Sequence, residues 1–435
     1  MKDYLKSQTI YQVYVRNFSK EGTFKKVIEK LDYIKDLGTD ILYLLPIHEI
    51  GVVNHKGSLG CPYSIKDYYS IAPELGTLED FKLLIEETHK KGMKIMMDIV
   101  FNHTSRDSVL LNTHPEWFFK KNDGSFGSKA GDWTDVFDVD HSHKELDEYM
   151  SDNLVYWVKL GVDGFRFDVA SLIPLSFYKL ARKKLNKVNK NIIFLAEAIE
   201  YSFNSYLRSL GYIAECDADL FKYFDLAYNY DSWPYLREHI QQNKPIDDYK
   251  LLAVTEDAML PANALRARAF ENHDQERLAD YLDELHLRHY LAYSFFLKGT
   301  GFIYNGQELM AHHRPSLFDK EVIDMEVNDS NINYLNFTKK MISLKHNKLN
   351  NKLLISSIDP NNSDKDLFIV HNVFKGNKEL IGLFNLSTDK ENVYLSKEDI
   401  EKYQGTYKDL ISGKTIHIKG ESFKVSEPLY LKKVR

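Results

Sequence analysis

The sequence predicts an α/β protein, a (β/α)8 barrel carrying a short inserted subdomain after its third strand and followed by a C-terminal antiparallel β-sandwich. Three observations predict it. Short β-branched or apolar runs alternate with amphipathic stretches over most of the chain, as in repeated βα units on a parallel sheet. One connection, from Thr104 to about Asp140, is too long for a turn and is rich in Gly, Asp and aromatics, including Trp117, Phe118, Phe119 and Trp133. Past about Asn350 short alternating strands replace the helical period, with turn signals at Asp359-Pro-Asn-Asn, Lys375-Gly-Asn and Ser412-Gly.

The strand-like runs, in order, are Thr9–Val15, Asp40–Leu45, Lys94–Val100, Gly164–Phe167, Ile192–Ala196, Asp225–Tyr228, Arg268–Phe270 and Gly301–Tyr304. Helical patterns such as Phe24–Leu37, Leu78–Lys91, Lys144–Leu160 and Leu285–Leu297 lie between them. The domains expected are a barrel over 1–103 and 141–350, the insert over 104–140 and the sandwich over 351–435. In such a barrel the active site forms where strands end, so polar residues just after strands carry the functional expectation.

Composition narrows the function. The chain has 435 residues, 43% hydrophobic and 28% charged, enough to bury a large core. Its net charge of −6 is spread without a basic block, which argues against nucleic acid or an anionic membrane as partner and for a neutral substrate. Cys61 and Cys216 form no disulfide framework or metal spacing and are expected as free thiols. The N-terminus shows no apolar signal core, and no apolar run is long enough to span a bilayer, so the expected location is the cytoplasm.

The fourth strand is the most informative. In Gly161-Val-Asp-Gly-Phe-Arg-Phe-Asp-Val-Ala170, Arg166 and Asp168 are two apart and share one face of the strand. An arginine beside a carboxylate holds it ionised and oriented, as an attacking carboxylate requires. Alone, the pair reads more often as a structural ion pair than as catalytic machinery. The third strand ends at Asp98, inside the barrel as an organiser, and at Asn102-His103 at its mouth. The fifth ends at Glu197, where partial burial would raise the pKa of a general acid; Glu200 competes for that role. The seventh delivers His273 and Asp274, with Arg277 placed to pair with carboxylates. Two carboxylates are the minimal machinery of glycoside hydrolysis, and a third can stabilise a cationic transition state. Metal-assisted hydrolysis is the rival, but no His-x-His or close acidic pair follows a first strand.

With these motifs the chain resembles the α-amylase family of glycoside hydrolases over nearly its whole length. The family's four main motifs are similar to Asp98-Ile-Val-Phe-Asn-His103, Gly164-Phe-Arg-Phe-Asp168-Val, Phe194-Leu-Ala-Glu197 and Phe270-Glu-Asn-His-Asp274. Gly60-Cys-Pro-Tyr63 resembles the segment whose tyrosine stacks on the sugar, Asp132–Asp140 the segment closing the inserted domain, and Tyr304–Glu308 the end of the eighth strand. The resemblance implies a retaining double displacement on α-1,4-glucosidic bonds of maltodextrins. Asp168 would be the nucleophile, Glu197 the acid/base and Asp274 the stabiliser, with Tyr63, Asp98, His103, Arg166 and His273 around the sugar. No cofactor is needed for the chemistry, and Asn102 matches the family's calcium asparagine, so it either holds a structural Ca2+ or braces a loop.

Two departures from the family matter. The nucleophile is followed by Val169-Ala-Ser171-Leu172, without the Lys-His pair that contacts leaving-group sugars in many relatives, and Val169 is similar to the residue of α-1,6-acting relatives. The inserted segment is also short, which suits soluble oligosaccharides. The alternatives are therefore an α-1,6-glucosidase or neopullulanase, a transglycosylase or a disaccharide isomerase on the same machinery. A non-catalytic scaffold is the reading from another class, and the three intact carboxylates count against it. Oligomeric state is left open by the sequence.

Overall fold

The computed structural model describes residues 2–130 and 133–434, apart from the side chain of Asp257. Asp132, which opens the segment Asp132–Asp140, lies outside the described residues, as does Met1. The fold class is the expected one. Eight parallel strands, β1 (Thr9–Val13), β2 (Ile41–Leu44), β3 (Lys94–Ile99), β4 (Gly164–Phe167), β5 (Ile193–Ala196), β6 (Leu226–Ala227), β7 (Ala267–Arg268) and β8 (Thr300–Tyr304), form one nearly closed barrel sheet. Its order is β6-β5-β4-β3-β2-β1-β8-β7.

The chain divides into two compact units, Tyr11–Tyr228 with Pro315–Ile323, and Met1–Ile10 with Asn229–Arg314 and Asp324–Arg435. In the first unit the period of the strand sorts side chains to two faces. Phe165 and Phe167 of β4 pack in an aromatic layer, Phe167 at 4.7 Å from Phe194 of β5 and 5.4 Å from Tyr178 of the helix Leu175–Leu185. Arg166, between them, must therefore point the other way. Each such aromatic contact adds about 0.5–1.5 kcal/mol to plain burial. The predicted helix over 24–37 is two helices, Phe24–Glu29 and Leu31–Leu37, because Lys30 leaves helical geometry at φ −103° and ψ 3°. The helix Lys144–Leu160 has the predicted bounds and ends on Gly161 at φ 114°, a left-handed position that glycine takes without a Cβ penalty.

The long connection after β3 is tied at its root by a small antiparallel ladder, His103–Ser105 against Val136–Asp138. Between these lie the helix Val109–Thr113 and the turn Pro115–Trp117.

In the second unit the C-terminal part forms a six-stranded antiparallel sheet and a two-stranded sheet, Val393–Leu395 with Phe423–Val425. Leu367, Ile369, Ile381, Leu383, Val393, Leu395 and Tyr407 are among the residues that fill its core. The helix Lys397–Tyr403 interrupts the all-strand pattern expected there. It starts in a capping box, Ser396 with Asp399, and buries Ile400 and Tyr403, a stretch too short to show a period in sequence. Among the described residues no helix is long and apolar enough to cross a membrane, and both cysteines are free.

Candidate active site

Within the first unit the ends of β2 to β5 bring Tyr43, Tyr63, Asp98, His103, Arg166, Asp168 and Glu197 together. Register does this: Asp98 of β3 pairs with Arg166 of β4, and Arg166 with Leu195 of β5. The ladder then continues past the strands, with Asp168 N–H donating to Ile99 O (2.9 Å) and Glu197 N–H to Phe167 O (3.1 Å).

Arg166 is fully buried and faces three carboxylates. Its Nη1 donates to Asp98 Oδ1 at 3.0 Å and to Asp168 Oδ1 at 2.9 Å, and its Nη2 lies 2.9 Å from Glu197 Oε1. Burial opposes its charge, but Asp98 and Glu197 outweigh that and hold its pKa above the ordinary arginine value. Asp98, also fully buried, accepts from Tyr43 OH (2.6 Å) and Tyr63 OH (2.9 Å) on Oδ2. With three donors it is the carboxylate best provided for as an anion.

Asp168 is different. Burial, then the neighbouring Glu197 carboxylate, push its pKa well above the usual carboxylate range, while Arg166 pulls it down. The sequence expectation of an arginine that simply holds Asp168 ionised is incomplete, because burial and the Glu197 carboxylate press in the opposite direction. Glu197 Oε2 accepts the N–H of Val169 at 2.7 Å. Val169 adopts φ 35° and ψ 48°, a strained conformation for a β-branched residue, and that turn is what aims its N–H at the glutamate.

His103 Nε2 lies 3.8 Å from Asp168 Oδ2, and its Nδ1 is 3.3 Å from Asn102 Nδ2, so the proton sits on Nε2 if the amide donates. Burial lowers the His103 pKa to about 4. The ring is thus neutral at neutral pH, fit to hydrogen-bond a hydroxyl. Glu200 holds the N-cap position of the helix Tyr201–Ser209, with no capping hydrogen bond from its side chain.

Asp274 and His273 belong to the second unit, on the turn after β7. His273 Nε2 is 3.0 Å from Asp274 Oδ2. Asp274 N–H donates to Asn272 Oδ1 (2.8 Å), its carbonyl accepts from Arg314 Nη1 (2.6 Å), and Arg277 pairs with Glu271 at 3.1 Å.

Tyr43 and Tyr228 were missed by the sequence reading. Tyr43 carries one of the donors to Asp98, and the Tyr228 ring lies 5.9 Å from the Arg166 guanidinium. The signal was available, a lone tyrosine in the aliphatic run Ile41-Leu-Tyr-Leu44, whose hydroxyl needs a buried partner.

Asn102, the residue matched to calcium, has its Oδ1 buried without a hydrogen-bond partner, while its backbone carbonyl accepts from Val139. Among the described residues no group of three or more His, Cys, Asp or Glu side chains is arranged to hold a metal.

A family model described as alpha amylase, catalytic domain, matches residues 10–340. The crystal structure of an alpha-amylase from Lactobacillus plantarum has 37% sequence identity and a TM-score of 0.90, covering 100% of both chains. That of a maltogenic alpha-amylase from Thermotoga neapolitana has 30% identity and a TM-score of 0.85, over 99% of this chain and 100% of the other. The intracellular maltogenic amylase of Bacillus subtilis is 28% identical over 402 residues, 88% of this chain. This chain spans 64% of that relative's length.

Proposed function

From the premise that the chain belongs to the α-amylase family of glycoside hydrolases, we propose that it hydrolyses α-1,4-glucosidic bonds of maltodextrins with retention of configuration. Asp168 attacks the anomeric carbon while Glu197 gives its proton to the leaving oxygen. Glu197 then takes a proton from the water that releases the covalent glycosyl-enzyme. Asp274, with His273, stabilises the oxocarbenium-like transition state, and Tyr63 and neutral His103 receive the sugar. Asp98 fixes Arg166.

The single observation that carries this reading is the charge balance around Arg166. Three buried carboxylates meet one guanidinium, an arrangement that favours a shared proton. Asp98 accepts two tyrosyl hydroxyls as well, while burial and Glu197 push the pKa of Asp168 upward, so we infer that Asp168 and Glu197 share that proton. One protonated and one ionised carboxyl group is the state in which an acid and a nucleophile act together. The test is incubation with maltoheptaose, pullulan and isomaltose, with Glu197→Gln as control. Maltose and short oligomers from maltoheptaose, with little product from isomaltose and none from the variant, is the expected result.

A second reading, transfer to a sugar acceptor or cleavage of α-1,6 bonds, is favoured by one feature. Beside the dyad, Val169 joins Leu172, Ile199, Leu207 and Ala214 in an apolar cluster against which Trp133, Phe203 and Tyr212 pack. Leu172 of this wall lies in the stretch where many relatives carry the Lys-His pair, and aromatic faces suit a bound sugar better than a water. Panose from pullulan, glucose from isomaltose or products longer than the substrate would select it.

We place the enzyme in the cytoplasm, a reading supported by the intracellular relative from Bacillus subtilis. We also propose a calcium ion at Asn102, supported by its unpartnered Oδ1 at the root of the long connection. Calcium takes backbone and amide carbonyls as well as carboxylates, and bound there it would brace the loop. A calcium-dependent rise in melting temperature after chelation, absent in Asn102→Ala, is the result expected.

A further inference from the structure

Far along the chain from the carboxylates, the second unit carries a groove of about 760 Å³ on its C-terminal part. That volume is within the usual range for small-molecule sites. Its most exposed large apolar side chain is Tyr394, at 45% of full exposure. Tyr394 is the middle residue of the strand Val393–Leu395, whose two flanking residues are buried in the sandwich core. Alternation forces the ring outward, and the anchored neighbours fix its backbone, so the ring is a preset platform. Asp364 Oδ2 accepts the Tyr394 N–H at 3.4 Å and stands beside it.

Each lysine around the platform is paired. Lys365 bridges to Asp247 at 2.8 Å, Lys390 to Asp366, and Lys397 faces Glu421 at 3.7 Å. An ionic ligand gains little where each ammonium already has a carboxylate. A neutral polyhydroxyl compound gains more, because each hydroxyl both donates and accepts and can bridge a lysine and an aspartate. The apolar face of a pyranose ring suits the tyrosine.

We propose that this groove is an accessory site for neutral α-glucan chains, with Tyr394 as stacking platform and Asp364, Lys365 and Lys390 as hydroxyl partners. The choice of glucan rests on the substrate class proposed above. The groove holds the polymer while the barrel cleaves it; it touches no reacting atom.

The test is native electrophoresis through gels containing glycogen, with the full-length protein and its Tyr394→Ala variant, alongside maltoheptaose turnover in solution. The parent is expected to be retarded, with an apparent affinity about tenfold above that of Tyr394→Ala, the size of a lost aromatic contact. Maltoheptaose turnover is expected to be the same for both, and Asp168→Asn to be retarded like the parent. Equal migration of parent and Tyr394→Ala would overturn the site. So would retardation abolished by high salt, which would mean an ionic ligand. If Tyr394-dependent retardation occurs without maltoheptaose turnover, the hydrolytic reading fails and the groove stands.

Discussion

Asp168 and Glu197 are held by a ladder, whereas Asp274 is held by a turn. The first two continue the parallel register of β3, β4 and β5, each donating its N–H to the neighbouring strand. Asp274 lies well past Arg268, the last residue of β7, and is held by side chains of its own and a neighbouring turn, among them Asn272, His273 and Arg314, with the Glu271–Arg277 brace beside it. Strand ladders distribute position over many hydrogen bonds; a turn concentrates it in a few. A side chain behind the ladder should thus be replaceable at a cost in stability alone, and one in the turn at a cost in rate.

The largest effect expected is at the ladder's own chemical groups. Asp168→Asn should lower kcat on maltoheptaose by about four orders of magnitude or more, as loss of a nucleophile does. It should also raise the melting temperature. The amide oxygen still accepts from Arg166, and one of three crowded carboxyl groups is gone. Calorimetry on the variant checks this, and a lower melting temperature would mean that the Arg166–Asp168 attraction outweighs the repulsion from Glu197.

Next comes Arg166→Lys. An ammonium cannot face Asp98, Asp168 and Glu197 with separate, fixed nitrogens, so the dyad loses its alignment. A drop of about a hundredfold in kcat, the order expected for misplacement near 1 Å, is anticipated in steady-state assays.

Much of this arrangement was legible in the sequence. Ladder residues betray themselves by ending apolar runs, which is why Asp98, Asp168 and Glu197 stood out and why β4 and the helix Lys144–Leu160 have the bounds read from the pattern. What stayed hidden has no period. β7 is two residues long, one residue earlier than read, because the chain turns away as soon as Arg268 is placed. The hydroxyl of Tyr228 was hidden inside strand-like sequence, where a tyrosine looks like any large apolar residue, whereas Tyr43 stood out only as the one polar tip in an aliphatic run. The sharing of Arg166 among three carboxylates is a fact of inter-strand register, set between residues far apart in sequence.

A matched pair of substitutions separates ladder from turn. Ile99→Val, within β3, should cost about 0.5–1.5 kcal/mol of stability and leave kcat unchanged. Asn272→Ala removes the acceptor of the Asp274 N–H and the donor to Tyr230 OH, and should lower kcat about tenfold, one hydrogen bond's worth of positioning. Equal kcat losses in the two variants would end the distinction between ladder and turn.

The smallest effect at neutral pH, and the one that grows on acidification, comes from histidines in the ladder-held unit. His48, buried edge-on to Trp157, has its pKa lowered to about 3 by burial, and His103 has its own lowered to about 4. An unfolded histidine takes up its proton near pH 6.5, about two and a half to three and a half units before these folded ones do. Between those values the unfolded state binds more protons, so stability rises with pH, and is lost as pH falls from about 6.5 towards 4 and 3. Each group contributes up to about 1.4 kcal/mol per pH unit in that window. Urea unfolding across pH 4 to 7 measures the slope, at about those limits. His48→Phe, which keeps the ring packing and removes the titrating nitrogen atoms, should reduce that slope while leaving kcat at pH 7 as it was. A slope unchanged in His48→Phe would mean that His48 is protonated in the fold and that its buried ring has found an acceptor.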